Sequence, residues 1–393
     1  MLKKAKPKKP AASTSLRFAH PYYTTSLQQR LQTGGGRLLD HIKGKLQAIP
    51  KPRGEPTMTL SDVIGAQGAT EIQQAEEISF HTLGDSGKGP DTPEQFVAEA
   101  MAQDYDVAHP GRSPAFLFHL GDVIYGPGKD QGYRREFYEP FVHYPGKVIA
   151  IPGNHDGEVF PTTDPTTLKA FQANFCAPSQ TVPAIAGTIY RETMNQPGVY
   201  WLLDTPLVQL VGLYSNSAEN PGFISGPIPG QAQLQWLVKT LQGIRQGRVG
   251  GQRKALIIAT HHPPFTAGGH SPSTEMLTEL DTSCTQAGIM PDLFLSGHAH
   301  SFQRYTRYVT SSGRAMEIPY IVAGTGGISD QAVPPATGAR TGDHTFVKSR
   351  QGYGYLLVRV TSTQLTAKFV AVDGQTRSDF DTVTVDLGTN KLV

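Results

Sequence analysis

The sequence is short of cysteine. Only Cys176 and Cys284 occur in 393 residues, 108 apart, and neither has a metal-type partner at close spacing. A disulfide framework and a cysteine zinc site are both excluded as organising principles, and the two read as core or surface thiols. Long hydrophobic runs are missing too. No stretch approaches the roughly 18 uninterrupted apolar residues of a membrane span, so none is expected. No apolar segment follows the N-terminal lysines in the manner of a secretory signal, which makes a cytoplasmic enzyme the expectation. Acids are absent from residues 1–10, which hold five lysines (Lys3, Lys4, Lys6, Lys8 and Lys9). Those lysines account for the net charge of +2. Without them 30 basic residues face 33 acidic ones. The body of the chain is therefore not a basic surface, and no nucleic-acid partner is expected. There is no internal repeat.

Glycine (42) and proline (30) are plentiful, in a composition 38% hydrophobic and 17% charged. That suits a globular body with a real core and many turns. Composition and pattern divide the chain into a disordered basic tail at 1–20, an N-terminal extension at 21–75 broken by Gly34-Gly35-Gly36 and Pro50, Pro52 and Pro56, and a patterned body at 76–393, which the motifs below make the expected catalytic domain. From residue 76 short apolar runs recur: EISFHTL (77–83), PAFLFHL (114–120), KVIAI (147–151), KALIIAT (254–260), DLFLS (292–296) and IPYIVAG (318–324). Their length and their flanking Gly or Pro predict buried strands. Thr92-Pro93-Glu94-Gln95 predicts a helix start, with Thr92 as N-cap and Gln95 closing a capping box. Gln231–Ile244 predicts a helix with Leu234, Leu237, Val238 and Leu241 on one face. Strands alternating with helices make the core α/β. YGYLLVRV (353–360) and LTAKFVAVD (365–373), around Thr361-Ser362-Thr363-Gln364, predict an antiparallel hairpin.

Function lies at the ends of the strands. Gly84-Asp85-Ser86-Gly87 comes after the first and Gly121-Asp122-Val123-Ile124-Tyr125 after the second. Gly153-Asn154-His155-Asp156 comes after the third. Thr260-His261-His262-Pro263 ends the fourth, and Gly297-His298-Ala299-His300 the fifth. Parallel strands deliver the residues at their carboxyl ends to one rim. Carboxylate, amide and imidazole groups are good ligands for divalent or trivalent first-row ions. About eight candidate ligands over-supply one ion. Two ions about 3.5–4 Å apart, sharing a carboxylate, fit better. Any one Gly-Asp turn is weak evidence. All five in this order, each after a predicted strand, are not a chance pattern.

These five motifs resemble the calcineurin-like metallophosphoesterase superfamily, and within it the purple acid phosphatases. Most of the superfamily begins with Asp-x-His. Here Asp85-Ser86-Gly87 lacks that histidine, and Tyr125, three residues after Asp122, stands where purple acid phosphatases place a substitute ligand. The match spans about residues 76–373. The resemblance implies a four-layer fold, a two-sheet β-sandwich core flanked by helices with a binuclear metal site at the strand ends. It implies a trivalent iron on Asp85, Asp122, Tyr125 and His300. It implies a divalent ion (Fe, Zn or Mn) on Asn154, His261, His298 and the bridging Asp122. His261 is the better ligand of the adjacent histidines because the family pattern is His-x-Pro, which leaves His262 structural or behind the ligands. His155 resembles the residue that contacts the phosphate. His270, nine residues after His261, resembles the histidine that protonates the leaving alcohol. Asp156 is expected to orient His155 or a water. His81, His119, His143 and His344 have no motif support and are expected to be packed or exposed.

The implied reaction is hydrolysis of a small-molecule phosphate monoester. A metal-activated hydroxide attacks phosphorus in line, His155 stabilises the equatorial oxygens and His270 donates the proton. A phosphodiesterase on the same scaffold and a non-catalytic metal-binding scaffold are the competing readings. The first is separated by comparing rates on a monoester and a diester, the second by substituting Asn154 or His298.

Overall fold

Sixteen strands carry the fold in the computed structural model, which describes residues 46–393 apart from Val107, Gly250, Gln252 and Gly269. The basic tail at 1–20 and residues 21–45 of the extension lie outside the described residues. In chain order the strands are β1 (Thr57–Thr59), β2 (Glu77–Leu83), β3 (Phe116–His119), β4 (Lys147–Ala150), β5 (Trp201–Asp204), β6 (Val208–Leu213), β7 (Ala255–Thr260) and β8 (Leu293–Ser296). Then come β9 (Phe302–Ser311), β10 (Arg314–Ala323), β11 (Arg340–Thr341), β12 (His344–Arg350), β13 (Tyr353–Thr361), β14 (Gln364–Asp373), β15 (Thr376–Asp386) and β16 (Lys391–Leu392). Every run predicted as a strand is one. The hairpin also forms, with Val360 opposite Leu365 across its turn.

The strands form two mixed sheets. One is ordered β1-β5-β6-β7-β8-β10-β9-β12-β11 and the other β16-β15-β14-β13-β2-β3-β4. Within them β2-β3-β4 and β6-β7-β8-β10 run parallel, and the C-terminal strands add antiparallel neighbours. The sheets pack face to face through aromatic rings. Phe118 of β3 lies 5.2 Å from Trp201 of β5, and Phe302 of β9 stacks 4.2 Å from Phe369 of β14. Burial of such rings supplies most of the driving force, about 25 cal/mol per Å² of apolar surface. Helices cover the outer faces. Ala232–Gly247 buries Leu237 and Leu241 of the predicted face together with Trp236 and Ile244, while Leu234 and Val238 are only half-buried. This is the four-layer, two-sheet architecture expected.

Two expectations need correction. The helix Pro93–Ala102 starts where predicted, but no capping box forms. The Thr92 hydroxyl donates to Gly89 O (2.5 Å), and Gln95 Oε1 accepts from Asp91 N (2.8 Å), one residue early. Nor does the packed body begin at residue 76. Thr57–Thr59 pairs in parallel with Trp201–Asp204, and the helix Leu60–Ala75 buries Leu60, Val63 and Ile72 in the main core. Cys176 and Cys284 are buried free thiols. Among the described residues no helix is long and apolar enough to cross a membrane.

Candidate metal centre

The five motifs leave the carboxyl ends of β2, β3 and β4 in one sheet and of β7 and β8 in the other. The loops then bond to one another. Asp85 N donates to Gly121 O (3.0 Å), Gly297 N to His261 O (2.9 Å), and His298 N to Asp85 Oδ2 (2.7 Å). His261 Nδ1 meets Leu120 O at 2.9 Å, which fixes that ring across the seam between the sheets. Gly121 (φ +100°) permits this approach, because a Cβ there would stand 2.7 Å from His261 Nδ1 and 2.6 Å from Gly153 N. Asp85, Asp122 and His298 take left-handed backbone, with φ of 62°, 55° and 68°. Such conformations cost of order 1 kcal/mol or more each and persist where their surroundings hold them.

The side chains converge. Asp122, His261 and His298 each place a ligand atom within 4.8 Å of the others, and all three are buried. Around them, His261 Nε2 lies 3.2 Å from Asp122 Oδ2, 3.1 Å from Asn154 Oδ1 and 4.0 Å from Asp85 Oδ1. Asp85 Oδ1 in turn is 3.5 Å from the Tyr125 hydroxyl and 3.4 Å from His300 Nε2. All seven sequence-predicted ligands, Asp85, Asp122, Tyr125, Asn154, His261, His298 and His300, thus share one cluster.

The cluster suits cations. Asp122 Oδ2 is buried with no well-aligned hydrogen bond among the described residues, its nearest donor being His261 Nε2 at 3.2 Å. Burial disfavours a charged His261, yet Asp122 and Asp85 outweigh it and push the ring up to about 9. Burial, then Asp122 and Asp85, push the Tyr125 phenol well above its ordinary range. A phenolate there needs compensating positive charge. A buried carboxylate pair, an oxygen without a well-aligned hydrogen bond and a ring forced to accept a proton together describe a pocket built for positive ions.

The remaining candidates surround it. The His155 ring lies 4.5 Å from that of Tyr125, and its backbone N donates to Asp122 Oδ1 (2.8 Å). Burial works against a charged His155, but Asp122 and Glu158 prevail and raise it to about 9. His270 lies 4.0 Å from the His298 ring, between the amides of Asn220 (3.0 Å) and Gln331 (3.2 Å). Burial and His300 push it down to about 4. His262 uses both ring nitrogens on protein groups, Ser215 Oγ at 2.8 Å and Ala218 O at 2.9 Å. Asp156 does not orient His155. Its carboxylate accepts Gly153 N (2.9 Å), Val123 N (3.2 Å) and Ile124 N (3.4 Å), and so braces the loop after Asp122.

Two supporting residues carry no sequence signal. His119, expected only to be packed, bridges two ligand loops: Nε2 lies 3.0 Å from Ser86 Oγ and Nδ1 accepts Gly121 N at 3.2 Å. Burial keeps it neutral, near 4. Glu94, fully buried, accepts Lys88 N and Gly89 N at 2.7 Å each on Oε2 and clamps the loop after Asp85. Of the other unsupported histidines, His81 bonds Tyr144 and Asp104 in the core, His143 is exposed and His344 lies 4.4 Å from the Phe265 ring.

Among solved structures the chain is similar to GAP50, the anchor in the inner membrane complex of Plasmodium, at 13% identity over 78% of this chain and 89% of that one, with a TM-score of 0.49. It is similar to PhoD at 12% identity over 88% and 73%, with a TM-score of 0.46. A search of curated proteins finds no match. The family described as calcineurin-like phosphoesterase matches residues 80–302, more than half the chain and the whole span from within β2 to the last histidine of the cluster. By that match and this fold, the chain belongs to the calcineurin-like phosphoesterase family, and is a metal-dependent phosphoester hydrolase.

Proposed function

We propose that the chain is a phosphoric monoester hydrolase of the purple acid phosphatase kind. A ferric ion is assigned to Asp85, Asp122, Tyr125 and His300, and a divalent ion to Asn154, His261, His298 and the shared Asp122. The observation that carries this subfamily is the fit of Gly87 to Tyr125. A Cβ at residue 87 would stand 2.4 Å from Tyr125 Cδ2, so the missing side chain and the tyrosine are two halves of one exchange. A phenolate is a hard anionic donor suited to ferric iron, while the amide and imidazole set suits a divalent ion.

Bound there, the ions supply charge to neutralise phosphoryl oxygens and to activate water. The chain's own residues bracket the substrate. His155, carrying a proton on the Tyr125 side, offers a positive donor to an equatorial oxygen. His270, on the His298 side, is the residue proposed to hand a proton to the leaving oxygen. A ferric ion held there would make hydroxide available at lower pH, so an acidic optimum is expected.

Metal analysis with a visible spectrum, alongside rates on an aryl phosphate monoester and diester, tests the reading. A tyrosinate-to-iron band that disappears in Tyr125→Phe, with the monoester preferred, is the expected result. Zinc or manganese in both positions, or dominant diester turnover, overturns it. Asn154→Ala and His298→Ala should each abolish turnover, and undiminished activity in either would refute the site itself.

A further inference from the structure

We infer that Glu158 is a positioning residue for His155, an inference that rests on the proposed monoesterase reading. Gly153-Asn154-His155-Asp156-Gly157 leaves β4 as a single helical turn, Asn154–Gly157. Glu158 ends that turn by stepping into extended backbone (φ −59°, ψ 140°). The step turns its side chain back over the helical turn, where Oε2 stands 3.1 Å from His155 Nδ1. The Glu158 main chain is itself held at both ends. Its N donates to His155 O (3.3 Å), and its O accepts the Lys129 ammonium (3.3 Å). Lys129 is only 3% exposed, with its Nζ 4.4 Å from the Phe160 ring centroid. The carboxylate therefore reaches His155 from a fixed base.

His155 is otherwise held by its backbone N on Asp122 and by the Tyr125 ring at 4.5 Å. Neither contact decides which way the imidazole turns. Glu158 does. A carboxylate at Nδ1 accepts a hydrogen bond from that nitrogen and so selects the ring face, which leaves the Nε2–H as the donor turned toward substrate. Nε2 has no protein hydrogen-bond partner among the described residues and is the nitrogen left to meet a phosphoryl oxygen. The neighbouring acid cannot substitute, because Asp156 is committed to three backbone amides. His155 and Glu158 are 28% and 24% exposed, so the bond is partly screened and its value lies in orientation more than in stability.

The experiment compares Glu158→Ala, Glu158→Gln, His155→Ala and the double variant His155→Ala/Glu158→Ala on an aryl phosphate, alongside nitrogen-15 NMR of the His155 ring. Glu158→Ala should lower kcat/KM by roughly 10- to 100-fold, the usual effect of losing a residue that orients a functional histidine. Glu158→Gln keeps an oxygen acceptor and should recover most of that loss. In the His155→Ala background, removing Glu158 should change the rate by less than about twofold, since it acts through His155. The same loss in both backgrounds overturns the inference. The ring spectrum reads the same contact without turnover: the Nδ1 resonance, hydrogen-bonded to a carboxylate in the wild type, should shift in Glu158→Ala, and an unchanged ring overturns the inference. A wild type that fails on monoesters while its ring still responds to Glu158→Ala sinks the monoesterase reading and spares the contact.

Discussion

Replacing Gly87 by alanine tests the exchange at the heart of the metal centre. The added Cβ would stand 2.4 Å from Tyr125 Cδ2, 2.8 Å from Cε2 and 3.0 Å from Val123 O. Carbon atoms settle at about 3.5–4.0 Å, so the ring must retreat by about 1 Å. The backbone at φ +44° adds its own penalty. Left-handed backbone costs a non-glycine residue about 1–2 kcal/mol, and overpacking of this severity about 1–3 kcal/mol. If the ring stays, stability falls by about 2–5 kcal/mol, the sum of the two penalties. If it swings away, the fall is smaller, but the hydroxyl leaves its place 3.5 Å from Asp85 Oδ1. Thermal unfolding and the visible spectrum, measured on the same preparation, cover both outcomes. Either Tm falls or the tyrosinate band is lost. In a Tyr125→Ala background the ring clash is gone and only the 3.0 Å approach to Val123 O remains, so the stability cost should shrink toward the backbone part, about 1–2 kcal/mol. A Gly87→Ala protein that keeps wild-type Tm and colour refutes the packing of residue 87 against Tyr125.

His119→Phe preserves volume but leaves Ser86 Oγ and Gly121 N without their buried partner, at about 1–3 kcal/mol for each group stranded. Its Tm and metal content should both fall while His119→Gln recovers part of each, and a phenylalanine variant that melts and loads like wild type dismisses the bridge. Glu94 bears on pH. Burial raises its carboxyl from 4.5 to about 8 against the Lys88 and Gly89 amides, with Oε1 a buried oxygen that has no partner among the described residues. The folded state holds a proton that the unfolded chain gives up, so this contribution falls as pH climbs from about 4.5 to about 8, by at most about 1.4 kcal/mol per unit. Urea unfolding at pH 5, 6.5 and 8 should show Glu94→Gln gaining on wild type with rising pH, and parallel curves would contradict it. Chelation should lower Tm and added iron or zinc restore it, because ions that bind only the folded site stabilise it by mass action. A melt indifferent to chelator would count against the cluster as a cation site.

The site is more legible in the sequence than its supports are. Each ligand loop opens one or two residues past a short apolar run, a local pattern that fixes both the strand end and the donor. Asp85, Asp122 and His261 can therefore be placed before any tertiary contact is known. The supports depend on rotamers and on chain crossings that no local pattern encodes. His119 looks like one more inward residue of β3, and only the approach of Ser86 gives it a role. Asp156 and Glu158 are equally plausible partners for His155 by spacing, and the choice rests on which backbone amides the helical turn happens to face. Thr92 reads as a cap, but its hydroxyl finds Gly89 O instead of the helix. The strand Thr57–Thr59 escapes sequence reading because three residues with only Met58 turned inward leave no periodic trace.

The division of the ligands between two sheets has a consequence for how the molecule matures. Asp85, Asp122 and Asn154 come from one sheet, and His261 and His298 from the other. An ion held by Asp122 and His298 would therefore rivet two layers already joined by side-chain packing and by a few hydrogen bonds across the seam. A growing chain that has made β2, β3 and β4 owns an incomplete socket. Loading must wait until β8 is synthesised and the second layer has docked. For the same reason, a chain cut in a surface loop between the halves should hold together more tightly with metal bound than without it.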